Sequence, residues 1–255
     1  HKVEGPRTHV HQAQTAGTRG RDAGMPNFTN RSLISLFSGP GGMDEGFKWA
    51  GFVSCLAYDI DQACVDTYNH NHKIDGNPPV AIVADLTKIS IDEIIRDWKE
   101  RSDGPPFGVI GGPPCQSFSV SNVFQKSNDP RHVLPEHYAR ILKGLNDEFG
   151  LEFFVFENVP GLVTSKHVEK FTRFKRLFED AGFRVFEGSL DAQDFGVPQV
   201  RPRVFVVGLN REKYPEQEFN FPQGDRQNAK TVAHAIFGLP EPVFFRPGLT
   251  GETIE

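Results

Sequence analysis

Long apolar runs are missing from this chain. No stretch approaches the roughly 18–20 consecutive apolar residues that a membrane-crossing helix needs, and no basic, apolar, small-residue leader of the secretory kind opens it. No membrane partner is expected. An excess of positive charge is missing too: 28 basic residues stand against 33 acidic ones, for a formal charge of -5. That argues against gripping nucleic acid by bulk charge and leaves room only for a local basic face. Cysteine is scarce, with three residues (Cys55, Cys64 and Cys115). They cannot all pair within the chain and cannot build a disulfide scaffold, so a reducing, cytoplasmic setting is expected (nucleoid-associated in a bacterium). Tryptophan and methionine number two each, whereas phenylalanine reaches 23. A mean hydropathy of -0.41 is that of a globular chain. The 255 residues suit one large α/β domain or two small ones.

Residues 1–30 differ from the rest. They show no hydrophobic periodicity and carry a net charge of +2, from Lys2, Arg7, Arg19 and Arg21 against Glu4 and Asp22. They are expected to be a flexible tail or a vector-derived remnant, with Met25 a candidate original start. From residue 31 onward, short apolar runs alternate with amphipathic stretches. Strands are expected over 32–37, 52–58, 80–84, 107–111 and 153–156. Helices are expected over 43–50, 61–71, 91–101, 135–149 and 166–181. Two late strands, 183–190 and 204–208, lie close enough to form an antiparallel pair. This βαβα alternation predicts a mostly parallel sheet with helices on both faces. Ligands of such sheets bind beyond the carboxyl ends of the strands. After residue 208 the pattern weakens, and only 231–237 reads as a helix.

The strand ends carry the chemistry. Phe37-Ser-Gly-Pro-Gly-Gly42 follows the first strand, where glycines allow a sharp turn and close approach of a ligand. An ordinary βα turn would look the same. A dinucleotide fingerprint would need glycine at position 44, and the residue there is Asp44, which disfavours a pyrophosphate cradle and a nicotinamide enzyme. Asp59 closes the second strand, where a carboxylate can accept both ribose hydroxyls of an adenosine group. Ile60 beside it can lie against the adenine, while Asp61 suits a helix cap. Asp85 closes the third strand, where it can meet the adenine amino group or simply make a turn. In Gly111-Gly-Pro-Pro-Cys-Gln-Ser-Phe-Ser119, Cys115 follows two prolines on a stiff turn. No second Cys or His stands at metal spacing, so no metal is expected. A thiolate nucleophile is the better reading, whereas Cys55 and Cys64 sit inside regular elements and read as structural. Glu157, after the apolar run 153–156, is expected to be partly desolvated, its pKa raised so that it can protonate or hydrogen-bond a ring nitrogen. Arg201 and Arg203 project to one face of an extended chain and can grip a phosphate, a carboxylate or a base carbonyl.

In this order the motifs resemble the cytosine-C5 DNA methyltransferase family, over about residues 33–208. Pro-Pro-Cys-Gln-Ser-Phe-Ser (113–119), Glu-Asn-Val (157–159) and Gln-x-Arg-x-Arg (199–203) are the specific elements. The resemblance implies a Rossmann-like fold that binds S-adenosylmethionine, and duplex DNA as partner. Phe37, Gly39, Gly41 and Gly42 match the cofactor loop, Asp59 and Ile60 the ribose and adenine contacts, and Asp85 the residue at the adenine amino group. Leu86 and Pro113 complete the implied cofactor contacts. Cys115 matches the nucleophile and Glu157 the carboxyl that engages N3 and the exocyclic amine of a flipped cytosine. Arg203, supported by Arg201, matches the residues near the cytosine O2. Gln116, Ser119 and Ser121 fall where a mobile loop, about 116–133, touches DNA.

Two departures accompany the resemblance. Ser35 stands where the family often has Asp. A target-recognition domain and a closing Gly-Asn segment are both absent from this sequence, so a second polypeptide is expected to supply them, in an enzyme of restriction-modification type. The domains are then 1–30 as tail, 31–210 as the catalytic S-adenosylmethionine-binding domain, and 211–255 as an irregular lead toward target recognition. The alternatives are a non-catalytic, regulatory methyltransferase-like subunit and a tRNA cytosine-5 methyltransferase; residues 116–119 fit the DNA enzymes better than the tRNA branch.

Overall fold

The computed structural model describes residues 31–73, 78–114, 133–165 and 167–240. Seven strands form one sheet: β1 (Ser32–Leu36), β2 (Val53–Asp59), β3 (Ala81–Val83), β4 (Gly108–Gly111), β5 (Phe153–Asn158), β6 (Phe183–Asp191) and β7 (Pro202–Asn210). Their spatial order is β3-β2-β1-β4-β5-β7-β6. The first five are parallel, while β7 runs antiparallel to both β5 and β6. This is the expected mostly parallel α/β sheet with an antiparallel late pair. β1 is buried at every residue, as befits a central strand covered on both faces. β3 is shorter than its apolar run suggests, because Pro78 and Pro79 precede it and proline cannot donate to a ladder.

Helices α1 (Gly42–Trp49), α2 (Gln62–Asn71), α3 (Ile91–Lys99), α4 (Leu134–Phe149) and α5 (Val168–Asp180) connect the strands, and α6 (Val232–Ile236) follows the sheet. Local signals set their ends. The Asp61 side chain accepts the Cys64 N–H and caps α2, and Ser90 with Glu93 forms a capping box at α3. α4 stops at Gly150, whose φ is 63°.

Period-two alternation sorts the strand side chains between two cores. On one face Ile34, Leu36, Tyr58, Phe154 and Phe156 pack under α3, α4 and α5. Much of the phenylalanine is spent here: Phe154 lies 4.9 Å from Phe178 and 5.1 Å from Phe183, ring centre to ring centre. Edge-to-face and tilted contacts of this kind add to simple burial. Tyr138 is fully buried in the same layer, and its hydroxyl donates to the Val155 carbonyl at 3.0 Å. On the opposite face Ala57 and Ala81 pack against Val65 and Tyr68 of α2. Phe153 meets Phe47 of α1 in a stacked pair at 6.3 Å. Among the described residues no helix is long and apolar enough to cross a membrane.

Candidate active site

The carboxyl ends of β1 to β5 lie along one edge of the sheet, and the motif residues collect there. After β1 the chain turns at Phe37, the one non-glycine with positive φ (55°) among the described residues. A bulky residue in that region is strained by about 1–3 kcal/mol, a signature of functional turns. The turn is fixed from β2. Ser38 N–H donates to the Tyr58 carbonyl at 3.0 Å, and Gly39 N–H to Asp59 Oδ2 at 2.8 Å. Gly41 must be glycine on two counts. Its φ is 95°, and a Cβ there would come within 2.6 Å of His72 Nε2. At Gly39 and Gly42 a Cβ would meet nothing within 4 Å, so the loop faces open space.

Asp59 does more than await a ligand, since its other oxygen accepts the Asp61 N–H at 2.9 Å. Beside it Ile60 is 68% exposed, an uncovered apolar surface. Asp85 is held by its own turn: Oδ1 accepts Thr87 Oγ1 at 2.6 Å and Thr87 N–H at 3.0 Å, and Lys88 pairs with Oδ2 at 2.9 Å. The Thr87 and Lys88 contacts hold its carboxyl down at about 2, so it is ionised at any working pH. Leu86 is buried, and its carbonyl accepts Arg140 at 3.2 Å.

At the ends of β4 and β5 the geometry is tighter. Glu157 shares a face of β5 with Phe153 and Val155, and its Oε1 pairs with Arg203 Nε at 2.9 Å. The pair forms because β7 is antiparallel. Its first residues lie beside the last of β5, with Asn158 opposite Val204 and Glu157 opposite Phe205. Burial pushes the Glu157 carboxyl above the ordinary range, and Arg203 and Arg201 pull it part of the way back. The Arg201 backbone is held by Asp191, which accepts its N–H at 2.8 Å. The Arg203 guanidinium also donates to the Pro202 carbonyl at 2.8 Å.

Two residues that carried no assigned role in the sequence shape this corner. Gly112 leaves room for the acid, since a Cβ there would stand 3.0 Å from Glu157 Oε2. Asn158 is buried; its side-chain N–H donates to the Pro113 carbonyl at 3.3 Å and its Oδ1 accepts the Val159 N–H at 2.9 Å. It therefore ties the approach to Cys115 onto the end of β5. The signal for Asn158 was available: it continues the buried register of Phe154 and Phe156 with a polar side chain, which a strand interior does not need. Cys115, Gln116, Ser119 and Ser121 lie outside the described residues. Cys55 and Cys64 are free thiols, and burial raises both above the ordinary thiol value, with Asp59 and Asp61 adding to the effect at Cys64. Neither is suited to act as a thiolate. Among the described residues no group of three metal-ligating side chains converges.

Replacing Gly112 with alanine is expected to displace the Glu157 carboxyl and lower kcat roughly tenfold, with the fold retained. Steady-state rates beside a circular-dichroism melt check it; an unchanged kcat would refute the claim that this space is reserved for the acid.

The sequence profile described as C-5 cytosine-specific DNA methylase matches residues 31–243. Over 210 residues the chain is 39% identical to "Type II methyltransferase M.FnuDI" of Fusobacterium nucleatum, covering 82% of this chain and 56% of that protein. It is 37% identical over 232 residues to "Type II methyltransferase M.MthTI" of Methanothermobacter thermautotrophicus, covering 89% and 63%. It is 38% identical over 201 residues to "Type II methyltransferase M.AquIA" of Picosynechococcus, covering 76% of each. The chain thus spans little more than half the length of the first two relatives. Among solved structures, an E. coli prophage protein assigned as a DNA modification methyltransferase superposes with a TM-score of 0.66 at 29% identity, over 83% of this chain and 56% of that one. Spodoptera frugiperda DNMT2 shares the fold, with a TM-score of 0.57 at 22% identity over 77% and 56%.

Proposed function

This chain belongs to the C-5 cytosine-specific DNA methylase family, and from that premise we propose that it forms the catalytic and cofactor-binding half of a DNA (cytosine-5-)-methyltransferase. The observation that carries the reading is the Glu157–Arg203 pair, 2.9 Å apart at the strand ends. Asn158 fastens Pro113, two residues before Cys115, to that same corner.

The residues fit S-adenosylmethionine, which supplies an electrophilic methyl group. The glycine loop faces open space, Ile60 offers an exposed apolar surface, and the carboxylates of Asp59 and Asp85 stand at successive strand ends. Phe37, Gly39, Gly41, Gly42 and Asp59 would hold the methyl donor's ribose and methionine side, and Ile60, Asp85, Leu86 and Pro113 its adenine side.

The chemistry requires these side chains. C5 of cytosine belongs to an aromatic ring and is a poor nucleophile. The Cys115 thiolate adds at C6, forms an S–C6 bond and leaves C5 enamine-like. Glu157, in its protonated form, gives its proton to N3 as negative charge develops there, and Arg203, supported by Arg201, offsets the charge at O2. A bound donor would supply its methyl to C5 and depart as a neutral thioether; loss of the C5 proton to a solvent base then leaves its electron pair to re-form the C5–C6 double bond and expel Cys115 as thiolate. None of this can occur in a stacked duplex, so the base is flipped out. Gln116, Ser119 and Ser121 contact the DNA.

Target recognition and closure of the cofactor pocket are carried by a second polypeptide or by a further segment of a longer chain, and the whole serves a restriction-modification system. Transfer of labelled methyl from S-adenosylmethionine tests the reading, with duplex DNA and tRNA offered to this chain alone and to it with the complementing part. Label at cytosine C5 in duplex DNA, only when the complementing part is present, is the expected result. Label in tRNA alone, or in neither, would overturn it.

A further inference from the structure

The molecule holds a carboxylate that the mechanism above does not use. Asp44, in the first turn of α1, is 2% exposed. Among the described residues no basic side chain pairs with it. Instead it accepts three hydroxyls: Ser35 from β1 at 2.9 Å, Ser54 from β2 at 2.6 Å and Tyr68 from α2 at 2.9 Å. A buried carboxyl is costly unless its oxygens are hydrogen-bonded, and an apolar residue in its place would leave three hydroxyls without their acceptor. What the carboxylate adds is direction. Its three donors come from three separate elements, so together they fix the position and rotation of the start of α1. A negative charge at this place also suits the positive end of the helix.

That start is continuous with the glycine loop. Gly41 is the N-cap of α1 and has no side chain to anchor it, and Glu45 N–H returns to the Gly41 carbonyl at 2.9 Å. On the strand side the loop is held by Gly39 N–H on Asp59. On the helix side it moves with whatever holds α1. The same α2 residue that donates to Asp44 also backs the loop: Tyr68 lies against the His72 ring, centroids 4.5 Å apart, and both crowd the α-carbon of Gly41.

We propose that Asp44 is a positioning residue for the methyl-donor loop, acting through the Ser35, Ser54 and Tyr68 hydroxyls to hold the Phe37–Gly42 turn in its binding geometry. The proposal rests on the reading of that turn as the cofactor site.

The experiment measures S-adenosylmethionine affinity by calorimetry, and KM for cofactor, KM for DNA and kcat, in the full-length protein. Asp44→Ala should raise the Kd and KM for the cofactor about tenfold or more, while kcat at saturating cofactor and KM for DNA stay within about threefold. Tyr68→Phe and Ser54→Ala each remove one donor and should give smaller rises at nearly unchanged melting temperature. If Asp44→Ala does not fold, these two variants carry the test. Unchanged cofactor affinity in the folded variants, or a fall confined to kcat, would overturn the positioning role. Failure of the unmodified protein to bind S-adenosylmethionine would instead overturn the cofactor reading, and this proposal with it.

Discussion

A Cys115→Ser protein should transfer methyl groups to DNA at least about a thousandfold more slowly than the unmodified protein, because a serine hydroxyl at neutral pH cannot replace a thiolate in attack on C6. S-adenosylmethionine binding should survive, since the residues assigned to it, Pro113 aside, stand at the ends of β1, β2 and β3 rather than β4. The assay needs both readings, initial rate of label transfer and calorimetric affinity for the cofactor. A duplex carrying 5-fluorocytosine sharpens it. Fluorine at C5 cannot leave as a proton does, so the unmodified protein should remain covalently joined to that DNA, and the mass of the adduct can be measured. The variant should form none. Label transfer at the unmodified rate, or an adduct on the variant, would remove Cys115 from the reaction.

Glu157→Gln should cut the rate about a hundredfold, as expected when a positioned acid is lost, and should at the same time make the protein more stable at neutral pH. Burial raises the carboxyl of Glu157, and Arg203 only partly offsets that. A carboxyl with a raised pKa binds its proton more readily in the folded chain than in the unfolded one. Its contribution therefore favours folding below the ordinary carboxylate pKa and is lost as pH climbs through the raised value. Glutamine carries no charge to desolvate. The variant should melt higher than the parent at about pH 7.5, and the gap should close at about pH 4. A variant that melts lower at neutral pH would mean that the Arg203 pairing outweighs burial. Sites that store such cost for function are where stabilising substitutions are found.

The parallel part of the sheet was legible because each strand is a short apolar run and each crossover an amphipathic one. The glycine loop, Asp59, Asp85 and Glu157 all followed from asking what closes a strand. The length of β6 was legible to within a residue, but that of β7 was not. It runs for nine residues, past the expected 204–208, because backbone pairing across the hairpin carries Pro202 into register with Asp191. Nor did the sequence mark Asp44 as a buried hub. Its three hydroxyl donors lie 9, 10 and 24 residues away, and only the fold brings them together. Gly112 was read as part of a turn; its function is to be empty, which is a property of its neighbour Glu157. Asp59 was read for the hydrogen bonds it could accept from a ligand's ribose. It also holds the loop that would bind that ligand, so one carboxylate serves two purposes.

The position of β7 between β5 and β6 has a consequence for assembly. β6 precedes β7 in the chain, yet among the described residues β7 is its only neighbour in the sheet. When the chain is synthesised from its N-terminus, the five parallel strands can pair as they emerge, but β6 must wait for the strand after it. Glu157 is then already in place on β5 and Arg203 is not. The strand that completes the sheet also delivers the arginine, so a nascent or truncated chain that lacks it has an acid without its partner.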